Sequence, residues 1–271
     1  MNKVENYKQV QDLSIKIRTY KEGFVTNFFI GEDRCNLWIN KDSLFSLDFE
    51  KCGFILHKED DFYHLYFLSV SKEQLGSALK DLIKIYPETT FVTDIVGQDA
   101  VVAELSSCFE QGGFEKYSKL FRMNRLKIED TEEALDSRVE FATLAWANQI
   151  KSLLDAHFDK YSEQLPLLEE INHWINNKRI IGIIEKDKII GFFIFDIYGL
   201  TSQPRFWYVD SDYRNKKIGS ALYKRFFYEG RNTKRVLSWV LMDNENAIKR
   251  HEHYGFKAEP MFDQVLIKRN K

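Results

Sequence analysis

Two short stretches in the second half of the chain carry residue types that can do chemistry at a useful spacing. In "YVDSDYRNKKIGSALYKRFF", Tyr208 to Phe227, an apolar strand end passes through Arg214, Lys216 and Lys217 to Gly219 and then into a helical pattern. The first amides of a helix have no partner within it, and the macrodipole adds partial positive charge at that end. A glycine that lets the backbone come close, beside three cations, gives this stretch the makings of a phosphate cradle. In "NENAIKRHEHYGF", Asn244 to Phe256, the residues Asn244, Ala247, Ile248 and His251 share one helix face. A carboxamide is thus set about two turns from an imidazole, a group whose reference pKa of about 6.5 lets it trade protons near neutrality.

The elements that must position these groups follow from periodicity. "RIIGIIEKDKIIGFFIFDI" is a hairpin with a polar turn at Lys186-Asp187, and "RFWYV" is the strand that feeds the basic loop. Behind the loop, Ile218, Ala221, Leu222 and Phe226 face inward from a helix. "RVLSWVLM" is a strand, "NENAIKRHEHY" a helix and "MFDQVLIK" the last strand. Upstream, "DTEEALDSRVEFATLAWANQIKSLL" reads as one long helix opened by Asp130 with Glu133, and "LLEEINHWINN" as a second. The result is a mixed α/β unit of the α+β kind, with helices packed on a largely antiparallel sheet that ends in β-α-β-α-β.

A fainter version of the same plan precedes it. "QLGSALKDL" (Gln74 to Leu82) reads like "KIGSALYKR" (Lys217 to Arg225), and the Gly-Phe pair ending at Phe114 matches the one ending at Phe256. The order of the two matches is the same and their offsets are nearly equal, which suggests two copies of one unit joined near residues 124–130. In the first copy "GFILHKEDDFYHLYFLSV" is a hairpin. Ser71 and Gln74 form a capping pattern ahead of Leu75, Ala78, Leu79, Leu82 and Ile83, "TTFVTDIV" is a strand, residues 99–111 a helix, and "YSKLFRM" a strand.

Bulk properties exclude several classes. The 271 residues carry a net charge of -2, which gives a nucleic-acid partner no footing. Cys35, Cys52 and Cys108 are odd in number and widely spaced, so neither a disulfide framework nor a metal site is expected. The beginning has no apolar signal core, and the longest apolar stretch, "KIIGFFIFDIYGL", is too short and polar for a bilayer. A cytoplasmic protein without a membrane partner is the expectation.

The basic loop resembles the cofactor loop of the GNAT superfamily, the acetyl-CoA-dependent N-acetyltransferases, whose usual form is V-x-P-x-x-R/Q-x-x-G-x-G/A. The second stretch resembles that family's N-x-x-A-x-x-x-Y-x-x-x-G-F signature. The resemblance covers about residues 126–271, and residues 1–125 only as an eroded copy. It implies two GNAT-like units, each a mostly antiparallel mixed sheet flanked by helices: a degenerate one over 1–125 and an acetyltransferase domain over 126–271. Acetyl-CoA would be the co-substrate, with no metal, and the acceptor a small-molecule or peptide amine.

By position, the resemblance implies that Val209 and its strand neighbours bond the pantetheine arm through their backbone. The amides of Asn215, Lys216, Lys217, Ile218, Gly219 and Ser220 would cradle the pyrophosphate beside Arg214, and Asn244 would bond the arm. Lys217 replaces a motif glycine, and His251 replaces the tyrosine that protonates the departing thiolate. His251 is therefore the expected acid, with Tyr254 one turn on as the fallback. Asp196, Glu169 and Glu170 stay open as bases. The first copy looks disabled, because its loop is shorter, has no arginine before its glycine, and puts Val102 and Phe109 where Asn244 and His251 stand. Loss of chemistry with retention of the cofactor loop, giving a CoA-binding regulatory module, is the alternative.

Overall fold

In the first half, the alternation of aromatic and β-branched residues resolves into short strands and the 3.6-residue periods into helices. The protein is described here by a computed structural model covering residues 1–126 and 135–270. In order come β1 (Asn2–Lys3), α1 (Tyr7–Thr19), β2 (Val25–Thr26), α2 (Glu32–Asn40), β3 (Leu44–Phe49), β4 (Cys52–Lys58), β5 (Tyr63–Ser69), α3 (Lys72–Ile85), β6 (Phe91–Gly97), α4 (Asp99–Gln111) and β7 (Glu115–Leu126). Ser71 caps α3, its side chain accepting from the Gln74 amide at 3.3 Å. One sheet face sends Phe54, Leu56, Leu65, Phe67 and Phe91 against Leu75, Leu79 and Leu82 of α3 and Val102, Leu105 and Phe109 of α4. The elements before Leu44 belong to no pattern recognised in the sequence.

The second half supplies β8 (Glu140–Phe141), α5 (Ala147–His157), α6 (Leu168–Asn176), β9 (Ile180–Glu185), β10 (Lys188–Tyr198), β11 (Thr201–Val209), α7 (Ile218–Glu229), β12 (Arg235–Leu241), α8 (Glu245–His253) and β13 (Lys257–Lys268). The polar turn of the β9–β10 hairpin falls at Lys186 and Asp187, both with positive φ, the conformation of a tight type I′ turn. Phe193, Phe195 and Trp207 face α7 and α8, while Phe192, Ile194, Phe206 and Tyr208 face α5 and α6. This sheet is therefore covered on both sides.

One expected helix is corrected. Asp130 and Glu133, its proposed start, lie outside the described residues. Within them the helix begins only at Ala147, because Glu140 and Phe141 pair with Gly182 and Ile181 on β9. Ladder hydrogen bonds at a sheet edge outweigh a modest helical propensity there.

Two compact units result, one of Met1–Leu120 with the stretch from Pro260 onward, the other of Phe121–Glu259. The end of the chain thus belongs with its beginning, since Phe262–Lys268 pair antiparallel with Gly97–Phe91 of β6. In the second unit the neighbour of β12 is β7, of which Phe121 onward falls in that unit. A single cut at residue 125 does not describe this division. Both units end helix-to-strand in the same way: Gly113 and Gly255 take positive φ, and the amides of Phe114 and Phe256 bond the carbonyls of Phe109 and His251 at 3.1 and 3.0 Å.

Candidate active site

The basic loop folds around Asp210. Its Oδ1 accepts the Asp212 amide at 3.0 Å, and its Oδ2 pairs with Lys188 at 2.6 Å. The Lys188 ammonium, and then the Asp212 amide, hold the Asp210 carboxyl below its usual range. Beyond a 3-10 turn at Ser211–Tyr213, Asn215 and Lys217 both take left-handed conformations, with φ of 66° and 59°. Two left-handed residues one position apart, ahead of the open amides of a helix start, make a backbone turn of the kind that binds anions, an anion nest. The Lys216 amide reaches Tyr213 O at 3.4 Å, and the first helical amide with a chain acceptor is that of Ala221, on Lys217 O. Arg214, Asn215, Lys216 and Lys217 are exposed.

Close packing holds the first turn of α7 in place. A Cβ on Gly219 would meet Trp207 Cζ2 at 2.8 Å, and one on Gly191 of β10 would meet Ile218 Cγ2 at 2.8 Å. Gly219 lies in the helix, so its missing side chain serves contact with Trp207 as well as access for a ligand. Across the Trp207 ring, at 5.3 Å from its centroid, stands the guanidinium of Arg250 on α8. The sequence reading missed this residue, which brings α8 and a further cation to the strand beneath the loop.

Next to the loop the sheet opens. β11 and β12 are parallel and pair only at Thr201↔Arg235 and Ser202↔Val236. β11 meanwhile stays paired with β10 as far as Gly191↔Val209. A bulge lies on this path: Ile194 faces Phe206 and Phe195 faces Pro204, leaving Arg205 as the extra residue. Beyond Ser202, one edge of β11 thus presents main-chain donors and acceptors to a widening gap, where an extended amide-bearing chain could pair with them. The nest and the gap adjoin at Val209. These features fit coenzyme A, with the pyrophosphate at the nest and the pantetheine amides along β11.

Residues 146–256 match the model of the Acetyltransferase (GNAT) family. These residues form a GNAT domain. Solved structures extend the likeness of fold to the whole chain. A GCN5-related N-acetyltransferase from Sphaerobacter thermophilus is 12% identical over 82% of this chain and 77% of its own, with a TM-score of 0.59. A tandem GNAT protein from the clavulanic acid biosynthesis pathway is 11% identical over 84% of both chains, with a TM-score of 0.58. A GNAT-family acetyltransferase from Colwellia psychrerythraea is 14% identical over 100% of this chain and 99% of its own, with a TM-score of 0.55. No curated protein matches the chain.

Within the GNAT domain, Asn244 caps α8, its Oδ1 accepting the Ala247 amide at 3.1 Å, and the residue is exposed. His251, two turns on, is buried and engaged at both nitrogens: Nδ1 lies 2.8 Å from Ala247 O and Nε2 2.9 Å from Ser238 Oγ. Since Ala247 O can only accept, Nδ1 carries the proton and Nε2 takes the Ser238 hydroxyl. Burial pushes the imidazole pKa down, more than the bond to Ala247 O pushes it up. A neutral ring in this tautomer is a poor proton donor. The geometry describes a group that ties α8 to β12 rather than the imidazolium acid expected from the sequence. Tyr254 lies ring-to-ring on Tyr223, with centroids 4.0 Å apart.

The three candidate bases left open by the sequence have structural duties or partners. Asp196 is buried, accepts Trp174 Nε1 at 2.9 Å and lies 3.7 Å from Arg205 Nε. Glu170 accepts the Leu167 amide at 2.8 Å and so closes the start of α6, with Glu169 half-buried in the same turn. A carboxylate that the sequence reading did not single out, Glu163, is shifted toward neutrality. It sits in the α5–α6 connection, which begins over the parted segment of β11 with Phe158 against Phe206 and His157 against Tyr208. Burial, then the charge of Asp159, push its pKa up to about 7, with Arg205 opposing. Asp159 is held in place by the Tyr161 and Ser162 amides at 3.1 and 2.9 Å. No periodicity or motif marks Glu163, because its environment is made by the fold.

Proposed function

We propose that the second unit transfers an acetyl group from acetyl-CoA to the amine of a small-molecule or peptide acceptor in the cytoplasm. The observation that carries this reading is the junction at Val209 of an anion nest with an unpaired strand edge. The bound cofactor supplies an acyl group activated as a thioester. The amides of Asn215 and Lys217–Ser220, with Arg214, Lys216 and Lys217, hold its phosphates. The Val209 end of β11 and Asn244 orient its arm. Glu163 takes the proton from the acceptor amine, a task suited to a carboxylate poised near neutrality. A thiolate is a much better leaving group than an alkoxide or an amide anion, so in this reading the reaction does not require His251 as an acid.

The first unit, in this reading, is a GNAT-like copy that lost its own site. The fold shared with a tandem GNAT protein and the matching helix ends at Phe109 and His251 support it.

Isothermal titration with acetyl-CoA tests the proposal. One site per chain is expected in the wild type, weakened in the Arg214→Glu, Lys217→Glu double variant, whose positions are exposed. Absence of binding in the wild type, or unchanged affinity in the variant, refutes it. The neutral, buried His251 favours one rival, a CoA-binding module without turnover. Binding without product across an amine panel would select that rival.

A further inference from the structure

The first unit contains a gap built like that of the second. β5 and β6 are parallel, pair only at Tyr63↔Phe91 and His64↔Val92, and then part. Here the chain itself enters the gap. Val25 and Thr26 of β2 pair antiparallel with Ser69 and Leu68 on the free edge of β5. The Thr26 hydroxyl donates to Phe67 O at 2.6 Å and accepts the Phe28 amide at 2.9 Å. Asn27 then spans the two strands. Its Oδ1 accepts the Phe67 amide at 2.7 Å, and its Nδ2 donates to Asp94 O at 2.9 Å and Thr93 Oγ1 at 3.0 Å, with Leu65 O at 3.4 Å. Arg18 covers the Phe24 ring at 3.6 Å on one side of the segment, and Phe28 meets the edge of Tyr66 at 5.6 Å on the other.

We infer that Val25–Asn27 is a built-in occupant of this gap, a strap whose amide groups satisfy the parted strands and close them to any extended amide-bearing ligand. Parting two parallel strands leaves main-chain donors and acceptors that must find partners or water. A single carboxamide, with one acceptor and two donors, can serve both edges at once, which a carboxylate, an acceptor only, cannot. The inference concerns the first unit alone and stands or falls independently of acetyl transfer by the second.

Hydrogen exchange of the full chain, read by mass spectrometry, tests it in two arms. Asn27→Ala removes the bridge, so the Phe67 amide and its neighbours on β5 and β6 should exchange roughly tenfold faster or more, with β11 and β12 unchanged. Should that variant not fold, Thr26→Val removes only the hydroxyl, and faster exchange at Phe28 and along β2 is expected. In the second arm the wild type is incubated with pantetheine, which lacks the phosphates needed by a nest. No added protection along Leu65–Ser69 is expected. Wild-type exchange at Phe67 in Asn27→Ala, or at Phe28 in Thr26→Val, would overturn the inference, as would pantetheine-dependent protection of β5.

Discussion

The two gaps begin alike and end differently. Each opens where a parallel pair separates after two registers, at His64↔Val92 in one and Ser202↔Val236 in the other. In the first, the edge leads from Ser69 through Ser71 straight into α3, whose cap uses a side chain of the chain itself, and Asn27 bridges the strands. In the second, eight residues separate the end of β11 from the start of α7, and two of them take left-handed conformations. A sheet that parts creates demand for hydrogen bonds. In the proposed reading the first unit meets that demand internally and serves as scaffold, and the second leaves it to a ligand, which is the condition for a site.

The largest effect should follow from attacking the open side. If chemistry belongs beside the second gap, Glu163→Gln removes the base and lowers turnover by about 10²–10⁴-fold, with acetyl-CoA affinity kept. A base works only once deprotonated, so the wild-type rate should rise with pH through about 7 and level off above it. Loss of that limb in Glu163→Gln, measured by single-turnover rates across pH, is the signature. An unaltered profile would remove Glu163 from the reaction.

Stoichiometry tests the comparison directly. Native mass spectrometry with CoA should show one ligand per chain and, in the Arg214→Glu, Lys217→Glu double variant, almost none. Each reversed cation loses a charge-assisted contact, so affinity should fall roughly a hundredfold for the pair. A second ligand would mean that the first unit retains a site.

How far such differences could be read beforehand depends on where their causes lie. The hairpins, the α3 and α4 faces, the basic loop and the Asn244–His251 face follow from local periodicity and type, and each has its place in the structure. The first unit's closure was visible only by subtraction, through the shorter loop and the Val102 and Phe109 pair, both buried in its core. The strap itself was not legible, since Asn27 lies in no motif and meets β5 and β6 across some 40 to 67 positions of sequence. The surroundings of His251 were hidden for a related reason. Its spacing gave its face, but the burial that lowers its pKa and its bonds to Ala247 O and Ser238 are products of the fold.

His251→Phe imports the first unit's residue into the second. The Ser238 hydroxyl then loses its partner inside the protein, at a cost of about 1–3 kcal/mol. Adding Ser238→Ala should recover much of that loss, and chemical denaturation of the three variants measures it. The folded-state imidazole pKa is depressed, so the unfolded chain takes up this proton first as pH falls, and wild-type stability should decline below about pH 6.5. The Phe variant should lack this part of the decline. Turnover falling by 10²-fold or more with stability and CoA affinity intact would instead return His251 to the chemistry.

The smallest effect is expected at Lys217, and it separates two reasons for the loop's shape. With φ of 59° and ψ of 14°, this residue pays for a left-handed conformation that costs an L side chain about 1–2 kcal/mol. Lys217→Gly relieves the strain but gives the unfolded chain more freedom, an opposing term of about 0.4–1 kcal/mol. The net should be a stabilisation of about 1 kcal/mol or less, a rise of only a few degrees in thermal midpoint for a domain of this size. CoA affinity should fall at the same time, because the exposed ammonium beside the nest is lost while the amides keep their geometry. The first unit offers no equivalent, since no residue between Val70 and Gly76 has positive φ. If Lys217→Gly instead binds CoA more tightly, shape governs the nest, and the lysine is a strained substitute for glycine rather than a phosphate contact.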